Sequence, residues 1–147
     1  MKITQEADYA LRIAYKLACE DKVCDAKSIA EDVCISPRFA LKILRKFVVG
    51  GLAVSYKGVH GGYRLAKSPD QITMRDILEL IDGPLDISRC LSDDHTCSRN
   101  GTNKELCVFH NIFAKLSSIL SDNFDKITFA HLIDSKMTSE EICQLIK

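Results

Sequence analysis

The sequence predicts a mainly α chain carrying one small β-hairpin. Three observations point there. Apolar residues recur at helical spacing through most of residues 3–49, 73–82 and 102–120. Between them, over residues 52–66, the period drops to 2 around a turn holding Gly58, Gly61 and Gly62. Strong start and stop signals, above all Ser36-Pro37 and Gly50-Gly51, cut the first half into short helices.

Taken in order, residues 3–20 form a first helix capped by Thr4, with Tyr9, Ala10, Ile13, Ala14, Leu17 and Ala18 on one stripe. A loop, 20–24, leads to a helix over 26–34 that turns Ile29, Ala30 and Val33 inward. Serine as N-cap and proline at the first helical position open a third helix, running to about Val49. Its inward face is Ala40, Ile43, Leu44, Phe47 and Val48, and its outward face carries Arg38, Lys42, Arg45 and Lys46. Gly50-Gly51 should end it, since glycine accepts the left-handed conformation at a helix end. Two short helices joined by a tight turn, the second basic, read as a helix-turn-helix. The hairpin directly after it, 52–57 and 63–66, reads as a wing.

Thr73 should cap a helix with Met74, Ile77, Leu78 and Ile81 inward, broken by Gly83-Pro84. Residues 85–101 have little periodicity and read as a loop. A long helix should begin near Thr102, where Thr102-Asn103-Lys104-Glu105 fits a capping box. Its stripe of Phe109, Ile112, Phe113, Leu116, Ile119 and Leu120 suits either core packing or a dimer contact. Short helices are expected at 129–133 and after Thr138, where Thr138 and Glu141 repeat the box. The chain divides into a winged helix-turn-helix unit (1–83), a cysteine loop (84–101), and a long C-terminal dimerisation helix with its tail (102–147).

The 147 residues are 46% apolar and 27% charged, ordinary for a soluble globular chain. No apolar run approaches the length of a membrane span, and the N-terminal residues lack the apolar core of a secretory signal. The expectation is a cytoplasmic protein without membrane contact. Net charge is zero, but residues 1–68 hold twelve Lys and Arg against seven Asp and Glu, and residues 69–147 reverse the excess. A basic first half suits a polyanionic partner. No nucleophile triad, P-loop or dinucleotide fingerprint is present, so an enzyme is not expected.

The chemistry concentrates in residues 90–110. Cys90, Cys97 and Cys107 are separated by six and nine residues and followed by His110, in a segment otherwise rich in Ser, Asp, Thr, Asn and Lys. Core cysteines keep apolar company, and these do not. Thiolates and a neutral imidazole suit zinc or an iron–sulfur cluster. At about 100° per residue, Cys107 and His110 share a side of the long helix, with Cys107 turned away from the apolar stripe. Cys107 also sits near the helix start, where the dipole favours negative charge. The other four cysteines, at 19, 24, 34 and 143, fall in or beside apolar helical positions and read as core thiols.

These residues carry a resemblance. Ala7-Asp8-Tyr9-Ala10-Leu11-Arg12 in the first helix, the helix-turn-helix, the wing Lys57-Gly58-Val59-His60-Gly61-Gly62-Tyr63-Arg64-Leu65, Ile81-Asp82-Gly83-Pro84, the Arg89-Cys90 pair and the long helix together resemble the IscR/NsrR family of bacterial winged-helix transcription regulators. The resemblance spans roughly residues 1–135. It implies a homodimer whose long helices cross at the interface, and an iron–sulfur cluster, 2Fe–2S or 4Fe–4S, on Cys90, Cys97 and Cys107. It implies a fourth ligand at either His110 or Asp8, the latter reached from the partner subunit. For Asp8 the competing reading is an ion pair with Arg12.

The function expected is a dimeric regulator, a repressor, that senses nitric oxide, redox state or iron–sulfur status. Its partner would be double-stranded DNA with a pseudo-palindromic operator, half-sites about one or two turns apart. Ser36, Arg38 and Lys42 are the candidates for the major groove, and Arg45 and Lys46 for phosphate. Lys57, His60 and Arg64 on the wing would reach backbone or minor groove. The alternatives are a structural zinc site built from the same cysteines and His110, or metal-free thiol or metabolite sensing.

Overall fold

A computed structural model describes residues 2–99, 101 and 103–146. Helix α1 (Gln5–Glu20) is followed by α2 (Ala26–Val33) and α3 (Pro37–Val49), then by the hairpin β1 (Ala53–Tyr56) and β2 (Gly62–Leu65). Helices α4 (Met74–Asp82), α5 (Val108–Asp125), α6 (Phe129–Ile133) and α7 (Ser139–Cys143) complete the chain.

The caps explain the boundaries. Thr4 Oγ1 accepts a hydrogen bond from Ala7 N–H (3.1 Å) and donates to Asp82 Oδ1 at the end of α4 (2.5 Å). One side chain thus starts α1 and ties it to α4. Asp25 caps α2, accepting from Lys27 and Ser28 N–H at 3.0 Å each. Ser36 accepts from Phe39 N–H (3.3 Å), with Pro37 behind it. Thr73 with Asp76, Thr128 with His131 and Thr138 with Glu141 form reciprocal capping boxes.

The larger core cluster is built on α1, whose Ala10, Ile13, Ala14, Leu17 and Ala18 meet Ile29 and Val33 of α2 and Ala40, Ile43, Leu44 and Phe47 of α3; a smaller one joins Ala7, Leu78 and Leu85. Phe129 of α6 is fully buried in the larger cluster. The chain returns after α5 to place it there: Met74 N–H donates to Ile127 O and Phe129 N–H to Ile72 O, both at 2.9 Å. The tail therefore helps close the winged unit.

β1 and β2 pair antiparallel with Ala53 opposite Leu65 and Tyr56 opposite Gly62. β2 also pairs on its other side with Cys24, in the α1–α2 loop, through Cys24 N–H to Tyr63 O (2.9 Å) and Tyr63 N–H to Cys24 O (2.8 Å). A Cβ at Gly62 would run into the Cys24 carbonyl, so this close pairing requires glycine.

The Gly50-Gly51 stop holds: Gly50 caps α3 with φ −79° and makes room for the Leu80 side chain, and Gly51 takes the left-handed conformation (φ 71°). Two expectations change. The long helix begins at Val108, with Cys107 as N-cap. Thr102 lies outside the described residues, and Asn103 heads a separate 3₁₀ turn, Lys104–Leu106. That turn is drawn to the preceding loop by Lys104 Nζ donating to Ser92 O (2.6 Å). Among the cysteines read as core thiols, only Cys24 is buried; Cys19, Cys34 and Cys143 are exposed. Cys34 terminates α2 in a left-handed conformation (φ 58°) and Cys143 closes a one-turn helix, places where an apolar neighbour in sequence covers nothing in space.

α5 meets α4 and the 84–91 segment through serines along its middle and through Phe124, which packs against the cluster of Ala7, Leu78 and Leu85 near its end. Ser117 is buried and its Oγ accepts from Ile87 N–H (3.0 Å), and Ser121 Oγ donates to Glu79 Oε1 (3.4 Å). This phase leaves Phe109, Ile112, Leu116 and Ile119 exposed by 40–63%, with Phe113 and Leu120 half-buried.

Phe129→Ala should lower the unfolding free energy by about 3–5 kcal/mol in urea titration, as expected for an aromatic lost from a closed core. A loss within error of zero would show that α6 does not belong to the cooperative unit.

Candidate nucleic-acid interface and cysteine loop

The basic face of α3 follows from its register. Arg38, Lys42 and Arg45, at i, i+4 and i+7, are exposed, while Ala40, Ile43, Leu44 and Phe47 fill the core. Lys46 is half-buried on the side facing α1. Ser36, Arg38, Phe39, Lys42 and Arg45 line one shallow hollow at the start of the helix. Lys57 and His60 are exposed beside the hairpin turn, and Val59 at its tip is 98% exposed. Among the described residues Arg38, Arg45 and Lys57 have no ion pair, whereas Arg64 Nη2 contacts Asp21 Oδ1 at 2.9 Å.

One acidic side chain intrudes on this face. Glu6, in the first turn of α1, reaches Lys42 Nζ through Oε2 (2.8 Å) and Lys46 Nζ through Oε1 (2.7 Å). Burial acts to raise the Glu6 carboxyl, but hydrogen bonds and charge from the two lysines outweigh it and hold the group below the usual carboxylate range. Sequence inspection assigned Glu6 nothing. An acid in a first turn reads as a helix-dipole residue, and the partners of Glu6 lie 36 and 40 positions away.

The cysteine stretch is mostly irregular. Cys90 lies in a 3₁₀ turn, Arg89–Leu91, and its Sγ accepts from Ser88 Oγ at 3.2 Å. Cys97 pairs through its backbone with Gly101. Cys107 caps α5, and His110 stands in the first turn. All three thiols are half-buried and none is in a disulfide. Among the described residues His110 Nδ1 is buried without a hydrogen-bond partner, an orphaned donor-acceptor atom beside the loop.

Asp8 lies elsewhere. It pairs with Arg12 at 2.7 Å, the competing reading from sequence, and faces a groove shared with Leu11, Tyr15, Cys19, Cys34 and Leu132. No residue of the 84–110 segment lines that groove. Among the described residues, no three His, Cys, Asp or Glu side chains are gathered closely enough to hold a metal ion. In chemistry the donor set of three thiols and an unpartnered imidazole suits an iron–sulfur cluster or zinc; this chain by itself does not draw the set together.

Among the described residues no helix is long and apolar enough to cross a membrane. Residues 3–135 match the family described as Rrf2, iron-dependent transcriptional regulator. A putative HTH-type transcriptional regulator of Aquifex aeolicus is 34% identical over 127 residues, covering 86% of this chain and 87% of the relative. The HTH-type transcriptional regulator NsrR of Bacillus subtilis is 28% identical and aligns over 100% of this chain and 98% of its own. The solved structure of CymR, the global cysteine regulator of B. subtilis, superposes with a TM-score of 0.71 at 24% identity, covering 94% of this chain and 99% of that one, a likeness of fold. The winged helix-turn-helix, the basic α3 and the family match converge, and the chain belongs to the Rrf2 family of DNA-binding transcription regulators, which are not enzymes.

Proposed function

We propose that this regulator is a cytoplasmic homodimeric repressor that senses nitric oxide, redox state or iron–sulfur status through a cluster held by Cys90, Cys97 and Cys107. The observation that carries the reading is the loop itself: three half-buried thiols in a polar segment, ending at an imidazole nitrogen that is buried and unpartnered. The family's description as iron-dependent and the full-length likeness to NsrR support it.

Bound there, an iron–sulfur cluster would supply a centre that reacts with nitric oxide or oxygen. The chain's own residues do the rest. Cys107 and His110 begin α5, and the 84–91 segment rests on α5 through Ser117, so a change at the loop bears directly on that helix. The exposed row Phe109, Ile112, Leu116 and Ile119 is the surface a second copy would cover. A shift between two such copies would change the spacing of their α3 helices, which an operator of fixed half-site spacing reads. On each copy Ser36, Arg38 and Lys42 would face the major groove, Arg45 and Lys46 the phosphates beside it, with Lys57, His60 and Arg64 at the flanking backbone or minor groove. Arg supplies the bidentate fork that recognises guanine, so Arg38 is the residue assigned to base reading.

The fourth ligand is His110 or Asp8. Asp8 would serve only from the partner subunit, since within one chain it lies in a separate groove. A second reading, metal-free thiol sensing, is favoured by the fold-level likeness to a regulator described as the global cysteine regulator. A closed zinc site is the third.

Cys107→Ala, purified anaerobically, should lose visible absorbance together with iron and acid-labile sulfide while keeping the wild-type melting curve. A variant as coloured and as iron-loaded as wild type would refute the ligand assignment. Colourless wild-type protein containing stoichiometric zinc would select the structural site instead. For the dimer, Leu116→Glu should convert the protein to a monomer in analytical ultracentrifugation, because a charge at the middle of the apolar row has no partner. An unchanged sedimentation coefficient would place the interface elsewhere.

A further inference from the structure

Of the four cations on the outer and α1-facing sides of α3, two are engaged within the chain. Glu6 binds both Lys42 and Lys46, one carboxylate oxygen to each ammonium, at 2.8 and 2.7 Å. The Lys42 contact is a charge-assisted hydrogen bond, and the Lys46 contact is an ion pair of nearly the same length. The Glu6 side chain is only 19% exposed, so bulk water and salt screen the contacts weakly. Lys46 is 36% exposed and Lys42 54%. The Lys42 ammonium is also held 5.5 Å from the Phe39 ring centroid. The neighbouring acid on α1, Asp8, is committed to Arg12 and does not share the lysines. Arg38 and Arg45 have no ion pair among the described residues.

A carboxylate with its two oxygens on two ammonium groups offers the same single negative charge and the same pair of acceptor oxygens as a backbone phosphate. We propose that Glu6 is a built-in competitor for DNA phosphate: it occupies Lys42 and Lys46, withdraws them from general electrostatic binding, and leaves Arg38 and Arg45 as the free cations of α3. The inference rests on the reading of α3 as the DNA-binding helix and assigns Glu6 a role in that binding. Its consequence is selectivity. Affinity for any duplex comes from releasing the counterions that phosphate-bound Lys and Arg displace. With two lysines neutralised internally, that sequence-independent part shrinks, while base contacts from arginine are untouched. Operator DNA is then distinguished from bulk DNA by a larger ratio.

The test uses the full chain and a random-sequence duplex of about 30 base pairs, titrated at several salt concentrations. Glu6→Gln keeps the side chain's size and removes its charge. It should bind the random duplex about tenfold more tightly near 0.1 M salt, with a log–log salt slope steeper by about one to two per protomer. Adding Lys46→Met to Glu6→Gln should return the slope part of the way to that of wild type. Amine acylation read by mass spectrometry supplies a measure without DNA: Lys42 and Lys46 should react faster in Glu6→Gln than in wild type. An unchanged slope, or equal acylation rates, overturns the competitor role. Arg45→Ala separates the two layers. Weaker random-duplex binding by Arg45→Ala together with an unchanged slope in Glu6→Gln retains α3 as the DNA-binding helix and rejects this inference alone. Full-strength binding by Arg45→Ala, or no duplex binding by any of the proteins, overturns both.

Discussion

Everything in this molecule is hung on the small-residue face of α1. Ala7, Ala10 and Ala14 are completely buried and Ala18 nearly so, which lets neighbouring backbones approach where larger side chains would hold them off. α2, α3, α4, α6 and β2 all pack against this one helix. Ile13 and Leu17 supply bulk between the alanines, and Phe47 and Phe129 fill the remaining space from opposite ends of the sequence. The helix is fixed at its start by Thr4, whose N–H and Oγ1 both donate to Asp82 and tie α1 to the end of α4. The same helix presents Glu6 to α3 and Asp8 to a solvent groove. Core packing, an ion pair to the basic face of α3 and one candidate cluster ligand thereby meet within a single stretch of α1.

The contrast between α1 and α5 separates folding from assembly. α1 is covered on the face its apolar pattern predicts. α5 is covered only in part: it meets its own chain through the buried Ser117, the half-buried Ser121 and, near its end, Phe124, and leaves large apolar side chains in solvent. An exposed row of Phe, Ile and Leu is unusual on a helix of this length, and it is resolved if that row meets a second copy.

Much of this was legible from local chemistry. Ser36-Pro37 set the start of α3, and the Thr138–Glu141 box located α7, because capping depends on residues three apart. The wing was readable from the change of period and its glycines. The start of α5 was not, since the box pattern at 102–105 competes with a lysine drawn to Ser92 twelve residues earlier. Nor was the exposure of Cys19, Cys34 and Cys143, because periodicity marks an apolar side without saying which neighbour covers it. For the site, the residue types were visible in sequence: three thiols and a histidine in polar company, and arginines and lysines on the outer face of α3. What sequence could not show was Glu6 between two of those lysines, nor the separation of Asp8 from the cysteine loop, since both depend on how α1 lies in the fold.

The central claim is that one protein joins a metal-sulfur sensor to a DNA-binding face. It is tested most directly by purifying the wild-type chain without oxygen and following its visible absorbance and its affinity for DNA selected from a random pool in one nitric oxide titration. The account predicts iron and acid-labile sulfide in the starting protein, and absorbance and DNA affinity that change together over the same range of nitric oxide. Affinity that holds constant while the absorbance bleaches, or protein that binds the selected DNA with neither iron nor sulfide present, would contradict it.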